Sequence, residues 1–184
     1  MKQTIGLKQN VEYVLRDKNG KIKSLWNEYD VIRKMRERFG WNLPRLPIFG
    51  YYSSSLKIHN LVTNAGAAGV ASRINGSGSE AAFTYIAMGT GTTAAAVGNT
   101  TLETELSTVG LSRAAATASR STTDVTNDTA QLDKTFTITG TAAVTESGVL
   151  NASSGGVLLA RQVFSAINVV NTDTLAVTWK FDVD

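Results

Sequence analysis

The 184-residue sequence predicts a mainly β protein: an antiparallel β-sandwich or barrel with one or two short helices and an N-terminal hairpin-plus-helix anchor. Three observations carry this prediction. In the last segment Leu175, Val177, Trp179, Phe181 and Val183 alternate with Ala176, Thr178, Lys180 and Asp182. A one-residue slip there would turn five large apolar side chains to water, so the alternation fixes both a strand and its register. Twenty-one threonines lie from Thr84 onward, a β-branched excess that suits strands. Turn residues recur at short intervals, as in Gly89-Thr-Gly, Gly155-Gly156 and Asn171-Thr-Asp, which is the spacing of a sandwich or barrel.

Taken in order, Val11–Arg16 and Lys21–Trp26 flank Asn19-Gly20, a dipeptide that tolerates positive φ, and so read as a hairpin. Asp30 caps a helix from Val31 to Phe39, with Ile32, Met35, Arg36 and Phe39 on one face and Gly40 as a stop. Trp41 to Tyr52 contains Pro44, Pro47 and Gly50 and reads as an extended, irregular stretch with exposed aromatics. A second helix is expected from Asn64 to Ile74, with Ala67, Ala68, Val70, Ala71 and Ile74 as a narrow packing face and Asn64 as its cap. Strands then follow at Phe83–Met88, Leu111–Ser121, Thr135–Thr139, Val157–Arg161, Val163–Val169 and the final segment.

Composition separates residues 1–60 from residues 61–184. The first part carries twelve Lys/Arg against five Asp/Glu; the second carries six against ten. A basic arm on a mildly acidic body points to nucleic acid, a membrane surface or an acidic protein partner. Charged residues make up only 18% of the chain, which suggests that part of the surface is covered by neighbours. Absence of cysteine excludes disulfides and thiolate metal sites. Without a charged start leading into an apolar stretch, or any apolar run of about eighteen residues, the expected setting is synthesis and assembly in a cytoplasm without membrane contact.

The chemistry-bearing residue types are sparse. His59 is the single histidine, so a serine-type triad has one candidate base, in a basic segment before the β body. Glu103 and Glu105, with Glu146 as a third carboxylate, form the one imaginable glycosidase pair, against a bland reading as solvated charges at a turn. Gly89-Thr-Gly-Thr-Thr lacks the Gly-Lys-Ser/Thr ending of a phosphate loop and reads as a strand-connecting turn. No catalytic, cofactor or metal-ligating residue is therefore assigned, and no cofactor is expected. The basic, aromatic stretch from Lys18 to Trp41 shows no nucleic-acid signature. Because Arg and aromatic residues also mark protein interfaces, docking is assigned to Arg33, Arg36, Trp41, Leu46, Phe49, Tyr51 and Tyr52, with nucleic acid disfavoured.

From Leu61 onward a set of short motifs appears in order: Leu61-Val-Thr-Asn-Ala-Gly; Tyr85-Ile-Ala-Met-Gly-Thr-Gly-Thr-Thr; Thr101-Leu-Glu-Thr-Glu-Leu; Ser112-Arg; Val144-Thr-Glu-Ser-Gly-Val-Leu; Ala160-Arg-Gln-Val-Phe. Together they resemble a module of tailed-phage structural proteins, the tail fibre or tail-collar fibre type, over about two thirds of the chain. The resemblance implies a non-enzymatic virion subunit whose β domain, residues 61–184, forms a homo-oligomer, often a trimer, and contacts other virion proteins. Residues 1–60 lie outside it and are read as the anchor. Fibres that recognise a host continue well beyond such a module, so a tail- or neck-associated adaptor or short fibre is expected. The alternatives are a capsid decoration protein and, more remotely, a glycan depolymerase. In Glu146-Ser-Gly148 the glutamate is expected at a turn.

Overall fold

The computed structural model describes residues 7–39 and 44–183. Two antiparallel sheets pack face to face as a sandwich, and the mainly β expectation holds. The first sheet is built on β1 (Leu7–Arg16) and β13 (Thr174–Val183), which pair over their full length from Leu7↔Val183 to Arg16↔Thr174. β10 (Thr129–Thr137) flanks β13 on its other side and carries β9 (Thr117–Ser121) at the edge. The free side of β1 is shared by β2 (Ile22–Lys23) and β5 (Leu56–His59).

The second sheet runs β6-β12-β11-β7-β8, with β6 at Leu61–Val62, β7 at Tyr85–Gly89, β8 at Ala114–Ala115, β11 at Ala142–Leu150 and β12 at Leu158–Val169. β3 (Leu25–Glu28) and β4 (Gly50–Ser53) form a separate two-stranded ribbon. Between them lies α1 (Asp30–Phe39). The core is the interior between the two large sheets. Val11, Tyr13, Leu15, Leu175, Val177 and Trp179 from one side meet Ile86, Met88, Val149, Phe164 and Ile167 from the other. Tyr13 spans the gap: its ring lies 4.5 Å from that of Phe164, and its hydroxyl hydrogen-bonds Ser147. Burial drives the Tyr13 phenol well above its usual range, with the Ser147 contact opposing weakly.

Several expectations need correcting. The break in composition at residue 60 is no break in the sheet, because β1 supplies three core side chains and lies between β13 and β5. The hairpin forms at Leu15↔Lys23 and Arg16↔Ile22, yet its second strand leaves after Lys23 to become the ribbon. Tyr51 and Tyr52 stand on a paired strand, whereas Trp41 of the expected irregular stretch lies outside the described residues. The segment Leu111–Ser121 changes sheets: β8 pairs with β7, and β9 pairs with β10. Val157–Arg161 and Val163–Val169 are one strand, and Val183 points outward at the end of an otherwise correct alternation.

The second helix, α2 (Asn64–Asn75), is capped by Thr63, whose hydroxyl accepts the Gly66 N–H and donates to the Leu158 carbonyl. Its buried face is made by Gly66 and Gly69, while Ile74 is exposed. A Cβ at Gly66 would fall 2.2 Å from the Leu159 carbonyl oxygen, so glycine permits this helix to lie directly on β12. The cost of glycine in a helix interior, about 1 kcal/mol each, is offset by that close approach.

Candidate functional site: a buried carboxylate network and an exposed apolar arm

Four of the six motif segments meet in one place, the outer face of β11 and β12, through Gly91, Glu103, Thr104, Glu146 and Arg161. Glu146 lies within β11, opposite Val163, and is fully buried, so the expected turn is replaced by a strand interior. Its Oε1 accepts the backbone N–H of Gly91 (3.0 Å) and of Thr104 (2.7 Å), and its Oε2 accepts that of Glu103 (3.1 Å). Arg161, diagonal to it on β12 and also buried, donates from Nε to Oε2 at 2.8 Å. The remaining guanidinium nitrogens donate to Asn99 Oδ1 (3.1 Å) and Glu103 Oε2 (3.4 Å).

A buried ion pair persists only when its other lone pairs and protons are also satisfied. Three amides and an asparagine meet that need here, and all come from the segment between residues 91 and 104. The network therefore clamps this segment over the sheet, where Leu102 joins Ala87, Leu150 and Leu158 in a second, smaller apolar cluster. Gly91 belongs to the clamp, since a Cβ on it would sit 2.5 Å from Glu146 Oε1.

Glu103 and Glu105, the imagined glycosidase pair, are each engaged in this cover. Glu103 accepts the Thr93 hydroxyl and amide, both at 2.8 Å, and those two bonds, the hydroxyl's first, hold its carboxyl below the ordinary range. Glu105 takes a bidentate grip from Arg113, at 2.9 and 2.6 Å, and Arg113 also donates to the carbonyls of Ala152 and Gly155. His59 Nδ1 stands 3.3 Å from the Gln9 carbonyl oxygen. Among the described residues no group of three or more His, Asp or Glu side chains is placed to hold a metal ion. No described helix is long and apolar enough to cross a membrane.

The second region is the arm formed by β3, α1 and β4. It is held to the sandwich by Leu25, which belongs to the main core, and by Asn27, whose Oδ1 accepts the Lys57 N–H of β5 at 3.4 Å while its Nδ2 donates within the arm to Ser53 Oγ and at its exit to the Ser55 carbonyl. Ser165 Oγ donates to Glu28 Oε1 at 2.8 Å, and an Arg45 guanidinium nitrogen donates to the Ala166 carbonyl at 3.0 Å. Away from these anchors the arm is apolar and open. Of fourteen exposed large hydrophobic side chains among the described residues, eight fall between Tyr29 and Tyr52. Tyr51 and Tyr52 project from β4, Val31, Met35 and Phe39 from α1, and Leu46 and Ile48 from the link, with Ile48 71% exposed.

Of the docking residues assigned from sequence, Leu46, Tyr51 and Tyr52 are exposed here; Phe49 and Arg33 are half-buried. The side chain of Arg36 and all of Trp41 lie outside the described residues. Val31, Met35 and Ile48 were missed, although the Val31, Met35, Phe39 series has the fourfold spacing of a helix stripe. Comparison with protein-family models, with curated proteins and with solved structures finds no match.

Proposed function

We propose that this chain is a non-enzymatic structural subunit of a tailed-phage virion, an adaptor or short fibre at the tail or neck. It docks on other virion proteins through the arm and self-associates through the sandwich. The observation that carries the reading is the crowding of exposed apolar and aromatic side chains on one arm. Contiguous apolar patches on soluble proteins mark interaction sites. Tyr, Phe and Met are also the residue types that interfaces favour.

Two further observations support it. Four of the six motifs that resemble tail-fibre modules contribute to the Glu146 network, so in this chain they behave as determinants of one fold. Among the described residues β9 is paired on one side only, by β10, an open strand edge that a second copy could extend. The test is the copy number of this chain in purified particles, measured by quantitative mass spectrometry against the major capsid protein. A few to a few dozen copies agree with the tail or neck. Hundreds would make it a capsid decoration protein, and none would overturn the virion reading.

A further inference from the structure

Beside the apolar arm lies a groove of about 460 Å³ whose walls come from four separate segments. α1 contributes Arg33, Lys34 and Arg38; the β5–β6 junction contributes His59 and Asn60; Ala94, Ala95, Gln162 and Val163 close the floor and far wall. Among the described lining residues none is acidic, and none is Phe, Tyr or Trp. Lys34 and Arg38 are one helical turn apart, so their charges fall on the same side of α1.

The second observation is independent of charge. Asn60 Nδ2 and Oδ1 are both buried, and neither has a hydrogen-bond partner among the described residues. Leaving a buried polar group unpaired costs about 1–3 kcal/mol. An amide offers a donor and an acceptor side by side, and a polypeptide backbone supplies the complement of both. Phosphate supplies acceptors alone. A nucleic-acid strand is also held by stacking on large aromatic side chains, and no Phe, Tyr or Trp is among the described lining residues.

We infer that the groove receives an acidic polypeptide segment of a partner protein. Its carboxylates face Lys34, Arg38 and His59, and its backbone pairs with the Asn60 amide. This assigns a chemistry to the docking partner and rests on the docking reading for its setting. The arm would supply apolar contact area, and the groove would supply charge selectivity and register.

The test uses the full chain and fluorescence anisotropy with three labelled probes: a short Glu/Ala peptide, a Gln/Ala peptide of the same length and an oligothymidylate. The acidic peptide is expected to bind, to weaken as salt rises, and to lose at least about tenfold in affinity in a Lys34→Glu/Arg38→Glu chain. Asn60→Leu is expected to weaken the peptide while leaving the free chain as stable or more so, because it removes an unpaired amide. A purely structural Asn60 would show the reverse. Absence of binding, equal binding of the Gln/Ala peptide, tighter binding of oligothymidylate, or indifference to charge reversal would each overturn the inference. Self-association that vanishes on charge reversal, seen by sedimentation, would put a second copy in the groove and overturn it too. Particles that incorporate the charge-reversed chain at full occupancy sink this inference alone. A chain that binds the peptide but is missing from particles sinks the docking reading alone.

Discussion

The covered face of the second sheet and the arm invert the usual arrangement of a soluble protein in opposite senses. On the covered face, charges are inside: Glu146 and Arg161 have no access to water, and every bond they make is to this chain. On the arm, large apolar groups are outside: Val31, Ile48 and Tyr52 are each more than half exposed among the described residues. The first region has used its polar chemistry to fix its own fold. The second has kept apolar chemistry that its own fold does not need. Buried polar networks set geometry and register more than they add stability, whereas exposed apolar surface is a standing cost unless a partner removes it.

The largest effect expected comes from deleting residues 1–60, which removes the arm but also β1. That strand pairs with β13 over ten residues and contributes Val11, Tyr13 and Leu15 to the core. The truncated chain should show no cooperative thermal transition by circular dichroism. A cooperative transition would mean that the first sixty residues are separable after all, and the comparison would become one between domains.

The next effect concerns the covered face alone. Arg161→Met should cost about 3–5 kcal/mol in urea denaturation, because Glu146 keeps its amide donors but loses the cation paired with it. Adding Glu146→Gln should recover part of that loss, since the uncompensated charge disappears and the two changes are not additive. If Arg161→Met costs less than about 1 kcal/mol, the network is accessible to water, and the contrast with the arm fails.

Legibility in the sequence followed the same division. The final strand could be read because its alternation has one buried face and one wet face, so period and burial agree. Glu146 could not. A lone acidic residue between Thr145 and Ser147 carries turn chemistry, and its partners lie 15 to 55 positions away in Arg161, Thr104, Glu103 and Gly91. Short-range pattern holds no trace of such pairing. The α2 face was only partly legible for a related reason: Val70 packs against the core as apolar periodicity predicts, but Ala67, Ala68, Ala71 and Ile74 are exposed, and the closest contacts fall to residues without a side chain, Gly66 against Leu159 of β12 and Gly69 against Phe83. Docking residues on the arm were partly legible because exposed aromatics beside Pro44 and Pro47 have no local element to bury them. The sequence places Ile32, Met35, Arg36 and Phe39 on one face of α1, but nothing in it says on which side of the helix the sandwich will lie.

A smaller effect is expected with pH. Asp128 accepts the backbone N–H groups of Val125, Thr123 and Asp124 and the Thr129 hydroxyl, and these bonds, the Val125 amide's first, hold its carboxyl far below the usual range against desolvation. Glu103 is lowered in the same direction. A carboxyl with a folded pKa below its unfolded value contributes stability that is fully present above the unfolded value. For Asp and Glu that value is about 3.9 to 4.3. The contribution is lost as pH falls through the folded value, so the wild-type chain should lose stability progressively below about pH 4. Asp128→Asn should be less stable at neutral pH and show a shallower acid limb. Urea midpoints collected across that range measure both, and an unchanged limb would detach the 122–129 loop from the stability of the sheet edge.

The smallest effect on folding, and the sharpest contrast with Arg161, is expected on the arm. Ile48→Ser and Val31→Ser replace exposed side chains that make no structural bond, so each should change unfolding free energy by no more than about 0.5 kcal/mol. If the arm is a docking surface, the paired variant should fold normally and yet be depleted from particles in a competition between tagged wild-type and variant chains. Equal incorporation would mean that these side chains are merely tolerated. A large loss of stability would mean that the arm is packed against the sandwich in solution. Either result would return the arm to the same class as the covered face, a region whose chemistry is spent within the chain.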